Sequence, residues 1–242
     1  MTLKQCLSTA VLVVVYWTFW LVSCVRAVFS LETLKGLARL VGVTEDECKG
    51  CFEDLKIPQH LAVLFGRNQS FVDLNVIFDF IYFSSLNGVK RLTFYDDNGI
   101  LKSMLYNVER GWDSYIKRKE FFKSILFYKG QDGKETYPGQ LTVHFLDKRD
   151  GKPMMAEVCR ELTHSREPVT VARVTSKLAT KGVHEVDFLL AVGCANNLDG
   201  FPAWSLRVAE IQQMKFWSDR LTESSYRSIL ASFSCRDRRL GR

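Results

Sequence analysis

The 242-residue sequence has no G-x-G-x-x-G opening a helix, no G-x-x-x-x-G-K-[ST] phosphate loop and no G-x-S-x-G nucleophile elbow. Those absences exclude the common dinucleotide, nucleoside triphosphate and α/β-hydrolase sites. Histidine is scarce, with four residues far apart at 60, 144, 164 and 184. The seven cysteines, at 6, 24, 48, 51, 159, 194 and 235, are odd in number and scattered. They lack the dense, even pairing of a disulfide-stapled secreted domain, and reduced thiols are the simpler account. Cys48 and Cys51 form a lone C-x-x-C with no second pair or nearby histidines to complete four zinc ligands. No Pro/Gly/Ser-rich linker follows residue 30, and there is no internal repeat. The net charge of +6 and pI near 8.9 come from positive residues spread along the chain. No basic helix interleaves them with aromatics, so no nucleic-acid partner is expected.

What the sequence has is apolar residues, 47% of the total, enough for a sizeable core. Cys6 to Val25, CLSTAVLVVVYWTFWLVSCV, is twenty residues without a charge. As a helix rising about 1.5 Å per residue it matches the ~30 Å hydrocarbon thickness of a bilayer. A cleaved signal peptide is the alternative, but the run exceeds the usual ~7–15 residues and SCV is a poor cleavage site. An uncleaved anchor over residues 1–29 is expected, followed by one domain over 30–242. Arg26, Lys35 and Arg39 follow the span while Lys4 precedes it, which puts the domain in the cytosol.

Beyond the anchor the hydrophobic period alternates. LETLKGLARLVG repeats apolar residues every three or four positions, and HLAVLF (60–65) is a continuous run suited to a buried strand. SFVDLNVIFDFIYFSSL reads as a buried helix after a Ser70 cap. VKRLTFY, LTVHFL, VTVARV and EVDFLLAV read as strands, separated by helical stretches such as SMLYNVERGWDSYIKRKEFFKSIL and KPMMAEVCRELTH. Strands alternating with helices predict an α/β fold whose mostly parallel sheet is covered on both faces.

Three places carry candidate chemistry. His144, inside LTVHFL, reads as a core histidine satisfied by a neighbour, with a general base as the alternative. Tyr95 to Gly99, YDDNG, offers paired carboxylates for Mg²⁺, but Asp-Asn-Gly is also strong turn chemistry and a strand-exit turn is expected. The final residues, CRDRRLGR, are either a solvated basic tail or an end directed at an anion. Arginine gives phosphate a planar two-pronged fork, and glycine leaves its backbone N–H open to close approach. Tyr226, Ile229, Leu230 and Phe233, spaced i, i+3, i+4 and i+7, allow the preceding helix to pack against a core or an interface.

The order HLAVLFGRN, VKRLTFYDDNGILK, DGK before a helix, VDFLLAVG…NNLDGFPAWSLRVAEI and a terminal RRLG resembles the cis-prenyltransferase family from about residue 57 onward. More narrowly it resembles the branch of accessory subunits of dehydrodolichyl diphosphate synthase, which also carry an N-terminal anchor. The resemblance implies that fold and a departure from its catalytic pattern. Catalytic members carry H-x-A-x-x-x-D-G-N-R-R; His60, Ala62 and Asn68 keep this frame, but Gly66 stands at the Asp position, and Gln69 and Ser70 replace the arginines. In the segment resembling D-L-L-I-R-T-S-G-E-x-R, Asp187 to Leu190 fit, but Ala191 and Asn197 stand at the arginines and Ala195 at the Glu. Glu210 stands where catalytic members bind metal; here a helix-surface or interface role is expected. The resemblance thus implies no catalytic or metal residues of the chain's own. Arg239 and Gly241 match the R-x-G that contacts diphosphate beside Mg²⁺ in the neighbouring subunit. The implied partner is a catalytic cis-prenyltransferase at the endoplasmic reticulum membrane, with farnesyl and isopentenyl diphosphate as substrates and dolichol precursors as products. Two alternatives are a membrane receptor or scaffold on the same fold, and a self-sufficient synthase with displaced ligands.

Overall fold

The computed structural model describes residues 55–66, 73–119, 123–129, 139–165, 168–193, 197–214 and 221–236. They belong to one compact unit, Cys51–Arg242. In chain order the elements are β1 (His60–Phe65), α1 (Leu74–Leu86), β2 (Arg91–Asp96), the short α2 (Ile100–Ser103), α3 (Leu105–Lys119), β3 (Ile125–Phe127) and β4 (Leu141–Leu146). There follow α4 (Lys152–Thr163), α5 (Val171–Thr180), β5 (Phe188–Val192), β6 (Glu210–Met214) and α6 (Glu223–Ser234). Single 3₁₀ turns precede α4 and β6.

The six strands form one sheet in the order β3-β4-β2-β1-β5-β6. All five pairings are parallel, as the alternation of strands and helices predicts. β1, β4 and β5 are buried at every position, because a parallel sheet has helices on both faces. Side chains alternate between those faces. Leu61, Val63, Phe65, Leu92, Phe94, Val143, Phe145, Phe188 and Leu190 share one core with apolar residues of α1, α3 and α6. Ala62, Leu64, Tyr95, Leu146, Leu189 and Ala191 form a smaller cluster on the other face. Next to the clusters on the sheet, α4 and α5 pack together through Val158, Leu162, Val174 and Leu178, joined by Val183 just past α5.

α1 is apolar almost all round and lies deep in the first core. Two polar contacts set its register: the Tyr115 hydroxyl donates to Asp79 at 2.6 Å, and Ser84 Oγ bonds the Tyr226 hydroxyl at 2.9 Å. The second contact ties α1 to α6, whose Tyr226, Ile229, Leu230 and Phe233 are all buried, as their spacing requires.

Three local expectations are corrected. The cap of α1 is Asp73, whose carboxylate accepts from the Asn75 N–H at 2.9 Å; Ser70 lies outside the described residues. VTVARV is helical, because Thr170 caps α5 and the buried residues are Val174 and Leu178, one helical turn apart. Val169 and Val171 are solvent-exposed, so no strand face exists for them to fill. Finally, β3 and β6 are strands that the sequence pattern did not separate from their neighbours. No described helix is long and apolar enough to cross a membrane, and the predicted anchor at 6–25 lies outside the described residues, as do LETLKGLARLVG and Cys48 and Cys51.

Leu230 is fully buried, so Leu230→Ala is expected to lower unfolding free energy by about 2–5 kcal/mol. Tyr106 is 72% exposed, and Tyr106→Ala should change it by no more than about 0.5 kcal/mol. Urea denaturation of the two variants measures the contrast.

Candidate functional site

In an open parallel sheet, ligands bind beyond the carboxyl ends of the strands, where the strand order reverses. Here that point lies between β1 and β5, since β2, β4 and β3 extend to one side of β1 while β5 and β6 extend to the other. The Gly66 N–H, just past β1, donates to the Val192 carbonyl at 3.1 Å, and the Gly193 N–H donates to the Met214 carbonyl at 2.9 Å. The ladder therefore runs to the rim without a break. The residues it delivers there are Phe65, Gly66, Ala191, Val192 and Gly193, and all five are buried. None carries a charge or a hydrogen-bonding side chain. Of the residues that depart from the catalytic pattern, Gly66 and Ala191 are thus brought to the rim, while Gln69, Ser70 and Ala195 lie outside the described residues, as does Asn68, which keeps the pattern. Asn197 accepts the Asp199 N–H at 2.9 Å, a side-chain turn that shapes the loop leading to Phe201.

Carboxylates stand beyond β2 and β4, and local structure uses them. Asp96 accepts the N–H groups of Ile100 and Leu101 at 2.7 and 3.2 Å, which caps α2. Burial raises its pKa above the ordinary carboxylate range against the pull of these N–H donors. Gly99, at φ 70°, makes the turn, so YDDNG is the strand-exit turn its composition predicts. Asp147 accepts from the Arg149 side chain and backbone and caps the 3₁₀ turn reciprocally with Asp150. Burial works against ionisation of Asp147, but the hydrogen bonds and charge of Arg149, with Lys102, hold its pKa below the usual range. Lys102 Nζ also bonds both oxygens of Asp150 at 2.9 and 2.7 Å. Among the described residues, no three His, Cys, Asp or Glu side chains converge to hold a metal. With Gly66 in place of a carboxylate, the described rim does not fit a magnesium ion.

The second face carries a group of histidines near the amino ends of the strands. His60 Nδ1 bonds the Glu185 carbonyl at 2.6 Å, and Nε2 bonds the Thr93 hydroxyl at 2.8 Å. Because a carbonyl only accepts, the proton sits on Nδ1, and Nε2 accepts from Thr93. His184 lies with its ring centroid 6.4 Å from His60 and 5.1 Å from His144. His144 stacks on Tyr128 at 4.7 Å, yet neither of its buried ring nitrogens has a hydrogen-bond partner. That corrects the expectation of a histidine satisfied by a neighbour: the contact it makes is a ring stack. Gly182, at φ 84°, lets the chain turn under the Tyr128 ring, where a Cβ would collide. Desolvation drives the His60 pKa down to about 3 and His184 down to about 4, and keeps His144 well below its usual value.

Glu210 also lies at the amino end. It opens the edge strand β6, opposite Phe188, and is not on a helix. Its carboxylate pairs with Arg236 at 3.4 Å. Five residues of β1 separate the level of Leu61 from Gly66, about 17 Å at ~3.3 Å per residue, so Glu210 and Gly66 stand at opposite ends of the sheet. α6 likewise ends at the amino side: Ser234 Oγ accepts the Lys56 N–H at 3.0 Å, just before β1. Arg239 and Gly241 lie outside the described residues. Arg236 was not singled out by sequence reasoning; its one signal was position, three residues before Arg239.

Comparison with known proteins places this architecture. The chain matches solved structures of a probable undecaprenyl diphosphate synthase from Campylobacter jejuni (TM-score 0.56, 16% identity, 76% of this chain and 98% of that one). It matches lavandulyl diphosphate synthase from Lavandula x intermedia equally well (TM-score 0.56, 16% identity, 77% and 99%). The fold is that of the cis-prenyltransferases. No family model matches the sequence. A curated relative, dehydrodolichyl diphosphate synthase complex subunit nus1 of Schizosaccharomyces pombe, is 26% identical over 180 residues, 64% of this chain. The match spans 66% of that relative's length, just under two thirds. On the cis-prenyltransferase fold, then, the described rim of the crevice where α/β folds bind ligands is formed by glycines and apolar residues.

The histidines make stability pH-dependent. Their folded-state pKa values lie below the unfolded value near 6.5, so the unfolded chain binds more protons as pH falls through 6.5 toward 4. Stability is full above pH 6.5 and falls below it, with each histidine contributing a slope of up to about 1.4 kcal/mol per pH unit. His144→Leu, which removes the two unpartnered nitrogens, should flatten this slope without loss of stability at pH 7.5. Urea unfolding at pH 7.5, 6 and 5 measures both; an unchanged slope would show that His144 does not titrate on unfolding.

Proposed function

We propose that the chain is the non-catalytic, membrane-anchored subunit of a dehydrodolichyl diphosphate synthase complex. Its partner is a catalytic cis-prenyltransferase subunit, and the pair elongates farnesyl diphosphate with isopentenyl diphosphate into the long-chain precursor of dolichol, used in protein glycosylation. The single observation that carries the reading is the rim: Gly66 and Ala191 are buried in an unbroken ladder and offer nothing to a diphosphate. Several negative charges cannot leave water without arginine forks or a metal carboxylate to offset the desolvation. Similarity to a named complex subunit and to prenyl diphosphate synthases supports a role within such a complex.

In this reading the partner holds Mg²⁺ and both substrates. Arg239 reaches across the subunit boundary and forks the homoallylic diphosphate, while the Gly241 N–H approaches it closely. The last described residue, Arg236, bonds the amino end of β6, at the opposite end of the sheet from Gly66. Cys6–Val25 anchors the chain in the endoplasmic reticulum membrane, with the domain toward the cytosol where the soluble diphosphates are.

Two measurements test the proposal. The purified chain alone is expected to incorporate no isopentenyl units, and the reconstituted complex to incorporate them. In that complex Arg239→Ala should leave assembly intact and reduce turnover by about 10²-fold or more, the scale of losing a positioning or transition-state contact to phosphate. Arg239→Lys should rescue poorly, because the charge returns without the fork. Full turnover of Arg239→Ala in an intact complex would make the end a solvated tail. Asn68-Gln69-Ser70 reports on topology, since it is glycosylated only in the lumen. Asn68 is expected to be unmodified; a glycosidase-sensitive mobility shift, lost in Asn68→Gln, would place the domain in the lumen.

A further inference from the structure

The end of α6 is held by contacts that the proposed function does not use. Arg236 Nη1 donates to the Ile211 carbonyl at 3.0 Å and lies 3.4 Å from Glu210 Oε2. Ile211 and Glu210 are the first two residues of the edge strand β6. One helical turn earlier, Ser232 Oγ bonds both Gln212 of β6 and the Ile229 carbonyl, and Ser234 Oγ holds the backbone ahead of β1. The end of α6 is thus tied to β6 at two points and to the backbone ahead of β1 at a third. Arg236 is the outermost of them and the last described residue before the R-x-G.

A helix end in water frays, and an unpaired terminal arginine samples many rotamers. Neither happens freely here, because a carboxylate and a carbonyl on a rigid strand share one guanidinium. As a stability device this pair is weak: both partners are about one-third exposed, and such surface pairs contribute about 0–1 kcal/mol. Direction is a different matter. A group three residues downstream that must meet a phosphate within a few tenths of an ångström depends on where its root points, and misplacement by about 1 Å from a remote change can cost about 10² in rate.

We propose that Glu210 and Arg236 are positioning residues that fix the exit direction of the C-terminal tail, so that Arg239 enters the partner's site already aimed. This rests on the function proposed above. Neither residue touches substrate. Glu210, which stands at a metal-binding position in the catalytic pattern, serves here as the strut of the tail.

The test is a double-mutant cycle in the reconstituted complex, with Arg239→Ala run alongside. Arg236→Ala and Glu210→Gln are each expected to lower kcat/KM for isopentenyl diphosphate about 5- to 50-fold, mainly through KM. Assembly, thermal stability and KM for farnesyl diphosphate should not change. The double variant should be no worse than the poorer single one, since both remove the same strut. The exchanged pair, Glu210→Arg with Arg236→Glu, should recover part of the loss. If Arg239→Ala is severe while Arg236→Ala and Glu210→Gln match the unaltered complex, the strut is refuted and the function stands. If Arg239→Ala is itself silent, the function proposed for the tail fails. Equal losses for both diphosphates, or a fall in melting temperature that tracks the loss of rate, would show a structural role and also overturn the proposal.

Discussion

The strand ladder at the centre of the sheet is the constraint on which the rest depends. β1 is hydrogen-bonded to β2 on one side and β5 on the other, and its six residues are all buried. A parallel sheet of this kind exists only with helices on both faces. That requirement accounts for the all-round apolar α1, for the buried stripe of α6, and for the α4–α5 layer near the histidines. It also defines where chemistry is possible. Side chains inside the ladder are committed to packing, and what remains for function are the two ends of the sheet and the loops that leave them.

Those two ends differ in character. Among the described residues, the carboxyl end presents glycines and apolar side chains between β1 and β5, and the carboxylates beyond β2 and β4 cap helices and turns. Phe65, Gly66, Ala191, Val192 and Gly193 offer no positive charge to an anion. At the amino end lie the neutral histidines on one face and, on the β6 edge, the root of α6 with Arg236 held by Glu210. In the function proposed above, the phosphate-directed groups are Arg239 and Gly241, and they act in another chain's site.

Much of the architecture was legible in the sequence because burial leaves a period. HLAVLF, LTVHFL and FLLAV are mostly apolar runs, and each is a strand buried at every position. β6 was hidden for the opposite reason: as an edge strand it reads EIQQM, half polar, and only its pairing with β5 defines it. VTVARV misled because β-branched residues favour strands in isolation, whereas Thr170 and the Val174–Leu178 spacing decide for a helix once α4 is there to pack against. At the candidate site, the substitutions at Gly66 and Ala191 were visible as letters. The contact of Glu210 with Arg236 was not, since the two are 26 positions apart and meet only in the folded chain. His144 was visible as a core histidine, but its lack of a hydrogen-bond partner belongs to the packing alone.

The central claim is that this chain has the cis-prenyltransferase fold without a diphosphate site of its own. Titration calorimetry of the purified full-length chain with isopentenyl diphosphate and with farnesyl diphosphate, in the presence of Mg²⁺, tests it most directly, with the reconstituted complex as the positive control. The account predicts saturable binding of both to the complex and none to the chain alone. Stoichiometric binding of either diphosphate to the isolated chain, competed by inorganic diphosphate, would contradict it.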